Sequence, residues 1–239
     1  LVLVRGLARS HRYFAPIIPY LEEHFTVLLF DNRGAGKSDH PKGPYTSKQM
    51  ASDCVQVLAA AGFESAWFLG MSLGGMIVLD IADQYPQKVR GMVLGSCTPR
   101  GKGSVPVSIW PSMLLAISAF LPKKMGRKLQ AYVTLSDDFI DQADEIMDVW
   151  DEYAREEPFK LTSLLAQNSA INSHNSMPYL HQLTAPTLLL AGRQDRLVDC
   201  RNTPIMASIM PNAEGHIWDD TGHNMETEQP KRMAEKIIE

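Results

Sequence analysis

Five short runs of this chain are apolar at nearly every position, and that constrains its fold more than any other feature. They are LVLV (Leu1 to Val4), TVLLF (Thr26 to Phe30), AWFL (Ala66 to Leu69), GMVLG (Gly91 to Gly95) and TLLLAG (Thr187 to Gly192). A strand with one wet face alternates apolar and polar residues. Runs without alternation predict strands covered on both faces, as in a parallel sheet packed between helices. A sixth, weaker run, GHIWDD, spans Gly215 to Asp220. The gaps carry helical signals: Ser10 can cap a helix running to about Glu23, and Thr46-Ser47-Lys48-Gln49 has the form of a capping box. Behind that box, Met50, Cys54, Val57, Leu58 and Ala61 form an apolar stripe at helical spacing. Strand and helix in alternation predict a doubly wound α/β fold with a mostly parallel sheet, and 239 residues at 45% hydrophobic content suffice for one large core.

The alternation stops between Cys97 and about Asn175. There the turn-rich TPRGKGSVP leads into an apolar stretch around Trp110, Leu114 and Leu121, a basic cluster (Lys123, Lys124, Arg127, Lys128) and an acidic helix from about Asp137 to Glu156. No strand is predicted in that interval. The expected organisation is therefore a core from residues 1–97 and 176–239, with a helical cap at 98–175. The charged clusters are expected to be solvated faces. The apolar stretch either packs the cap onto the core or walls a pocket, with Trp110 and Leu114 as the candidate lining residues.

A net charge of −4 and a pI near 6.0 give no basic excess, so nucleic-acid binding is not expected. The cysteines Cys54, Cys97 and Cys200 are too scattered for a disulfide framework or a metal site, and no H-E-x-x-H motif is present. No metal or cofactor is therefore expected. No apolar run is long enough to span a bilayer, so no membrane partner is expected and a reduced, cytoplasmic setting is. The chain opens directly in a strand without a methionine, which leaves room for an upstream segment. Oligomeric state has no signal.

Chemistry concentrates in LGMSLGGM, Leu69 to Met76, where one serine lies between glycines at a strand-to-helix junction. The Gly-x-Ser-x-Gly pattern makes a turn so sharp that only small neighbours fit, and it lifts the Ser72 hydroxyl above the carboxyl edge of the sheet. The helix that follows directs its N-terminal amides toward a developing oxyanion. A serine hydroxyl needs a base to become nucleophilic, and the base needs an orienting acid. Asp195 lies one short loop beyond TLLLAG, and His223 stands in the same relation to the last run. Of His11, His24, His40, His174, His181 and His216, none has that placement. Asp219 and Asp220 belong to the last strand or its turn, and the end of GMVLG offers Ser96 and Cys97 rather than an acid. Gly36-Lys37-Ser38 imitates a phosphate loop, but Asp31 occupies the leading glycine position and Pro41 and Pro44 oppose a following helix.

The order Ser72, Asp195, His223, with RGL at Arg5 to Leu7, FDNRGAGKSD at Phe30 to Asp39, GRQD and TGHN, resembles the α/β-hydrolase superfamily over nearly the whole chain outside the insertion. The text around GMSLGGM is most similar to its carboxylesterase, enol-lactonase and haloperoxidase-like branch. The resemblance implies catalysis by Ser72, Asp195 and His223, with the backbone amides of Leu7 and Leu73 as the oxyanion hole. Arg5 departs from the usual His-Gly of the first strand's end and is taken as a pocket residue that adds charge there. Members also usually begin with an antiparallel hairpin, absent ahead of LVLV. The function implied is hydrolysis of an ester or lactone of a small, largely apolar acid. A small-molecule receptor on the same fold, or a carbon–carbon bond hydrolase, are the alternatives.

Overall fold

The computed structural model describes residues 1–118, 120–158 and 160–239. Its sheet has six strands, β1 (Val2–Val4), β2 (Leu28–Leu29), β3 (Ala66–Met71), β4 (Val89–Gly95), β5 (Thr187–Gly192) and β6 (Ala213–Trp218), in the order β2-β1-β3-β4-β5-β6. Every pairing is parallel. Successive residues along a strand feed opposite cores: Val2, Val4 and Phe68 pack on one face of the sheet, Leu3, Leu69 and Met71 on the other. Two covered faces explain the missing polar alternation.

Helices α2 (Ser47–Ala60), α3 (Leu73–Gln84) and α8 (Asn202–Ile209) build the first core, while α1 (Ile18–Leu21) and α10 (Pro230–Ile238), with the short α9 (Met225–Glu228), build the second. Thr46 caps α2 as its sequence predicts, accepting a bond from the Gln49 amide at 3.1 Å. The helix expected from Ser10 to Glu23 does not form. A 3-10 turn at His11–Phe14 and the four-residue α1 replace it, and Ser10 makes no side-chain cap. Pro16 and Pro19 each remove an N–H that a continuous helix would require. The last strand also starts earlier than expected, at Ala213, and ends before Asp219 and Asp220.

Between β4 and β5 the described residues hold α4 (Ile109–Ser118), α5 (Lys123–Thr134), α6 (Ala143–Glu156) and α7 (Leu161–Ser173), and no strand. The acidic helix begins at Ala143 rather than Asp137, preceded by a 3-10 turn at Ile140–Gln142. Among the described residues, no helix is long and apolar enough to cross a membrane.

Candidate active site

The strand order places β1 between β2 and β3, so the chain leaves the carboxyl ends of β1 and β3 in divergent directions. In open α/β sheets such a switch point is where ligands bind. Gly6, just after β1, and Ser72, just after β3, meet at this point: a Cβ on Gly6 would lie 3.1 Å from the Ser72 Cβ and 3.7 Å from its Oγ. The loop after β1 can thus pass directly over the serine.

Ser72 sits at φ 56° and ψ −119°, a conformation L residues avoid and one that costs about 1–3 kcal/mol. Surrounding packing holds it there. Its amide donates to the Gly95 carbonyl at the end of β4 at 2.9 Å, while its own carbonyl accepts from the Gly75 amide at 2.9 Å. The helix α3 then starts so close to β1 that a Cβ on Gly74 would fall 1.9 Å from the Val4 carbonyl oxygen. The glycine after the serine is therefore a requirement of packing. Among the described residues, neither the Leu7 nor the Leu73 amide has a protein acceptor; Leu7 follows Gly6 and Leu73 follows Ser72 in the chain.

Asp195 and His223 leave neighbouring strands, β5 and β6, and meet: His223 Nδ1 lies 2.7 Å from Asp195 Oδ2. The Asp195 carboxylate is fully buried, and its second oxygen accepts the Leu197 and Val198 amides at 2.8 and 2.9 Å. The two loops are stitched further by the Arg193 and Gln194 amides, which donate to the Trp218 and Thr221 carbonyls at 2.8 and 3.0 Å. Among the described residues no hydrogen bond joins Ser72 to His223. Such links are often loose in the absence of substrate.

The histidine loop is held by groups that no local pattern marks. The Ser96 hydroxyl donates to the His223 carbonyl at 3.0 Å. The Thr134 carbonyl, at the end of α5, accepts the His223 amide at 3.2 Å, the Asn224 amide at 3.3 Å and the Asn224 side chain at 3.2 Å. The Glu228 carboxylate bridges the Gly222 amide at 3.1 Å and the Ser136 amide at 3.0 Å, and burial pushes its pKa up to about 7.

Arg5 is 3% exposed, and its Nη1 lies 2.5 Å from Oε1 of Glu226, which is wholly buried, in an ion pair. Its Nη2 donates to Asn224 Oδ1 at 3.2 Å, and its guanidinium stacks 5.0 Å from the Phe14 ring centroid. The expected free charge at a pocket is instead a tie between the end of β1 and the histidine loop. Leu114 packs with Leu115 against Val133, Leu197 and Val198, beside the Asp195 loop. Trp110 is 74% exposed and lines an outer groove of about 620 Å³ with Val105, Asp199 and Arg201, a groove that contains none of Ser72, Asp195 and His223.

His11, His40, His174 and His216 have structural partners. His174 contacts Asp80 at 3.3 Å in a buried network with Ser47 and Tyr179, and His11 contacts Asp31 at 2.9 Å. Asp31 also accepts the Lys37 amide at 2.9 Å, so the phosphate-loop imitation is a turn braced by a carboxylate. No cluster of three or more metal-ligating side chains occurs among the described residues.

A wholly parallel doubly wound sheet, a strained serine at its switch point, and a histidine–aspartate pair on the two strands beyond define a fold of the hydrolase class. Residues 1–228 match the family described as alpha/beta hydrolase fold, and the chain belongs to it. It is 29% identical over 237 residues to a Stutzerimonas stutzeri (strain A1501) protein named "Putative carbamate hydrolase RutD", covering 93% of this chain and 84% of that one. It is 24% identical over 253 residues to the pimeloyl-[acyl-carrier protein] methyl ester esterase of Klebsiella pneumoniae (strain 342), covering 100% of this chain and 91% of that one. The enol-lactonase from Burkholderia xenovorans LB400 superposes with a TM-score of 0.84 at 20% identity, covering 99% of this chain and 88% of that one, a likeness of fold.

Proposed function

We propose that this chain is a serine hydrolase of acyl substrates, with Ser72 as nucleophile, His223 as base and Asp195 as the group that orients it. The supporting observation is the 2.7 Å His223–Asp195 pair on the strands beyond a serine held at positive φ. Asp195 fixes the proton on Nδ1 and leaves Nε2 free to accept one. Ser72 Oγ then bonds to the substrate carbonyl carbon, its proton passes to His223 Nε2, and the carbonyl π electrons move onto oxygen. The amides of Leu7 and Leu73 stabilise that oxyanion. Collapse breaks the bond to the leaving group, which takes the proton from His223. Water repeats the sequence and frees the acid and Ser72.

The substrate class we favour is an ester or lactone of a small, largely apolar acid, with residues 98–175 as the cap that shapes its pocket. Leu114, beside the Asp195 loop, is the cap residue best placed to contribute an apolar wall. The relatives' names include a putative carbamate hydrolase and a methyl ester esterase, so carbamates are to be assayed beside esters and lactones. Arg5, paired with Glu226, offers the receptor alternative no free charge for a ligand.

A fluorophosphonate followed by intact-mass measurement tests the chemistry. One adduct per chain, lost in Ser72→Ala, is expected. Folded wild-type protein that takes up no label overturns the proposal.

A further inference from the structure

The loop after β1 is built so that one peptide is free and both its neighbours are held. The carbonyl of Arg5, in the peptide before Gly6, accepts a bond from Asn32 Nδ2 at 2.8 Å. The amide of Ala8, in the peptide after Leu7, donates to Gln167 Oε1 at 2.7 Å. Between them lies the Gly6–Leu7 peptide, whose N–H has no protein acceptor among the described residues and which passes over Ser72. Ala8 itself has φ 56°, in the left-handed region that a residue with a Cβ avoids, and needs a partner to hold it.

Gln167 is that partner, and it comes from outside the core sheet. It lies on α7, within the helical segment between β4 and β5, with no exposed surface. Its amide nitrogen donates to the Arg33 carbonyl at 2.8 Å, one residue from Asn32. Both ends of the side chain are therefore fixed, which locks its oxygen on the Ala8 amide. A merely space-filling core residue would not require an acceptor aimed at the one amide that adjoins the free peptide.

We propose that Gln167 is a positioning residue for the oxyanion amide of Leu7, so that the helical segment sets transition-state stabilisation as well as shaping the pocket. This rests on the serine-hydrolase reading. Oxyanion donors act mainly in the transition state, so displacing one lowers kcat more than it raises KM.

The test compares wild type, Gln167→Leu and Gln167→Glu in ester hydrolysis and in the rate of fluorophosphonate labelling of Ser72. Leucine fills the space and removes both bonds; kcat and labelling rate should fall about tenfold or more while KM moves less than about threefold. A protonated glutamate accepts from Ala8 and donates to Arg33 as glutamine does, whereas its carboxylate faces the Arg33 carbonyl. The ratio of Gln167→Glu to wild-type kcat should therefore be highest at the acid end of the profile and fall as pH rises.

A Gln167→Leu variant with kcat and labelling within twofold of wild type overturns the proposal, as does a fall carried by KM alone. Should Gln167→Leu fail to fold, a pH-independent Gln167→Glu ratio overturns it. Wild type that takes no label rejects the serine-hydrolase reading instead, so the two failures are distinct.

Discussion

His223 and Asp195 are 28 residues apart in sequence and 2.7 Å apart in space, because each occupies the first loop beyond one of two adjacent parallel strands. The aspartate keeps one oxygen for the imidazole and gives the other to two backbone amides.

That division of labour predicts the effect of Asp195→Asn. The asparagine oxygen can still accept the Leu197 and Val198 amides, so the fold survives, but its NH2 would face Nδ1 and favour the wrong tautomer. We expect kcat to fall about 10³- to 10⁴-fold with little change in melting temperature. Turnover within tenfold of wild type would remove Asp195 from the mechanism.

Gly74→Ala tests the elbow's packing. Its Cβ would lie 1.9 Å from the Val4 carbonyl oxygen, an overlap that backbone on both sides must relieve. We expect a loss of at least about 2 kcal/mol in urea unfolding, together with reduced serine labelling. A variant as stable and as reactive as wild type would contradict the geometry.

The Arg5–Glu226 pair predicts strong coupling. Glu226→Gln or Arg5→Met leaves one buried charge without its partner, at a cost of about 3–5 kcal/mol. The double variant Arg5→Met/Glu226→Gln should cost clearly less than the sum of the single losses. Additive losses in a double-mutant cycle would show that the two side chains do not sense each other.

Glu228 gives a pH dependence with a definite sign. Burial raises its folded-state pKa from the ordinary 4.5 to about 7, with the nearby Glu226 charge acting in the same direction. A raised carboxyl pKa means the folded state holds its proton more tightly than the unfolded state. Its stabilisation is thus complete below about pH 4.5 and is lost as pH climbs through about 7, a change of about 3 kcal/mol. Unfolding midpoints at pH 5 and pH 8 should therefore differ more for wild type than for Glu228→Gln; equal differences would reject the linkage.

Much of this architecture is legible in the sequence, because the signals are local. TLLLAG forms β5 from Thr187 to Gly192, and Thr46 starts α2 where its hydroxyl can cap. The serine turn is legible because steric crowding demands glycine within a few positions. The Ser10–Glu23 helix misleads because a cap signal at Ser10 takes no account of Pro16 and Pro19, and β6 begins at Ala213-Glu214, outside the apolar run. The braces around the site have no local signature. Gln167 reaches Ala8 across 159 residues, and Glu228 reaches Ser136 across 92; an isolated glutamine or glutamate shows nothing of its distant partner. The unusual Arg5 is conspicuous in the sequence, but Glu226 becomes its counter-ion only when the sheet brings the two loops together.

Thr134 ends a helix of the inserted segment, yet its carbonyl carries the backbone on which His223 is mounted. Remodelling that helical segment therefore also shifts the backbone that carries His223. Selection for altered selectivity would have to preserve this anchoring oxygen, and libraries that spare residues 131–136 should retain more active members than libraries that randomise them.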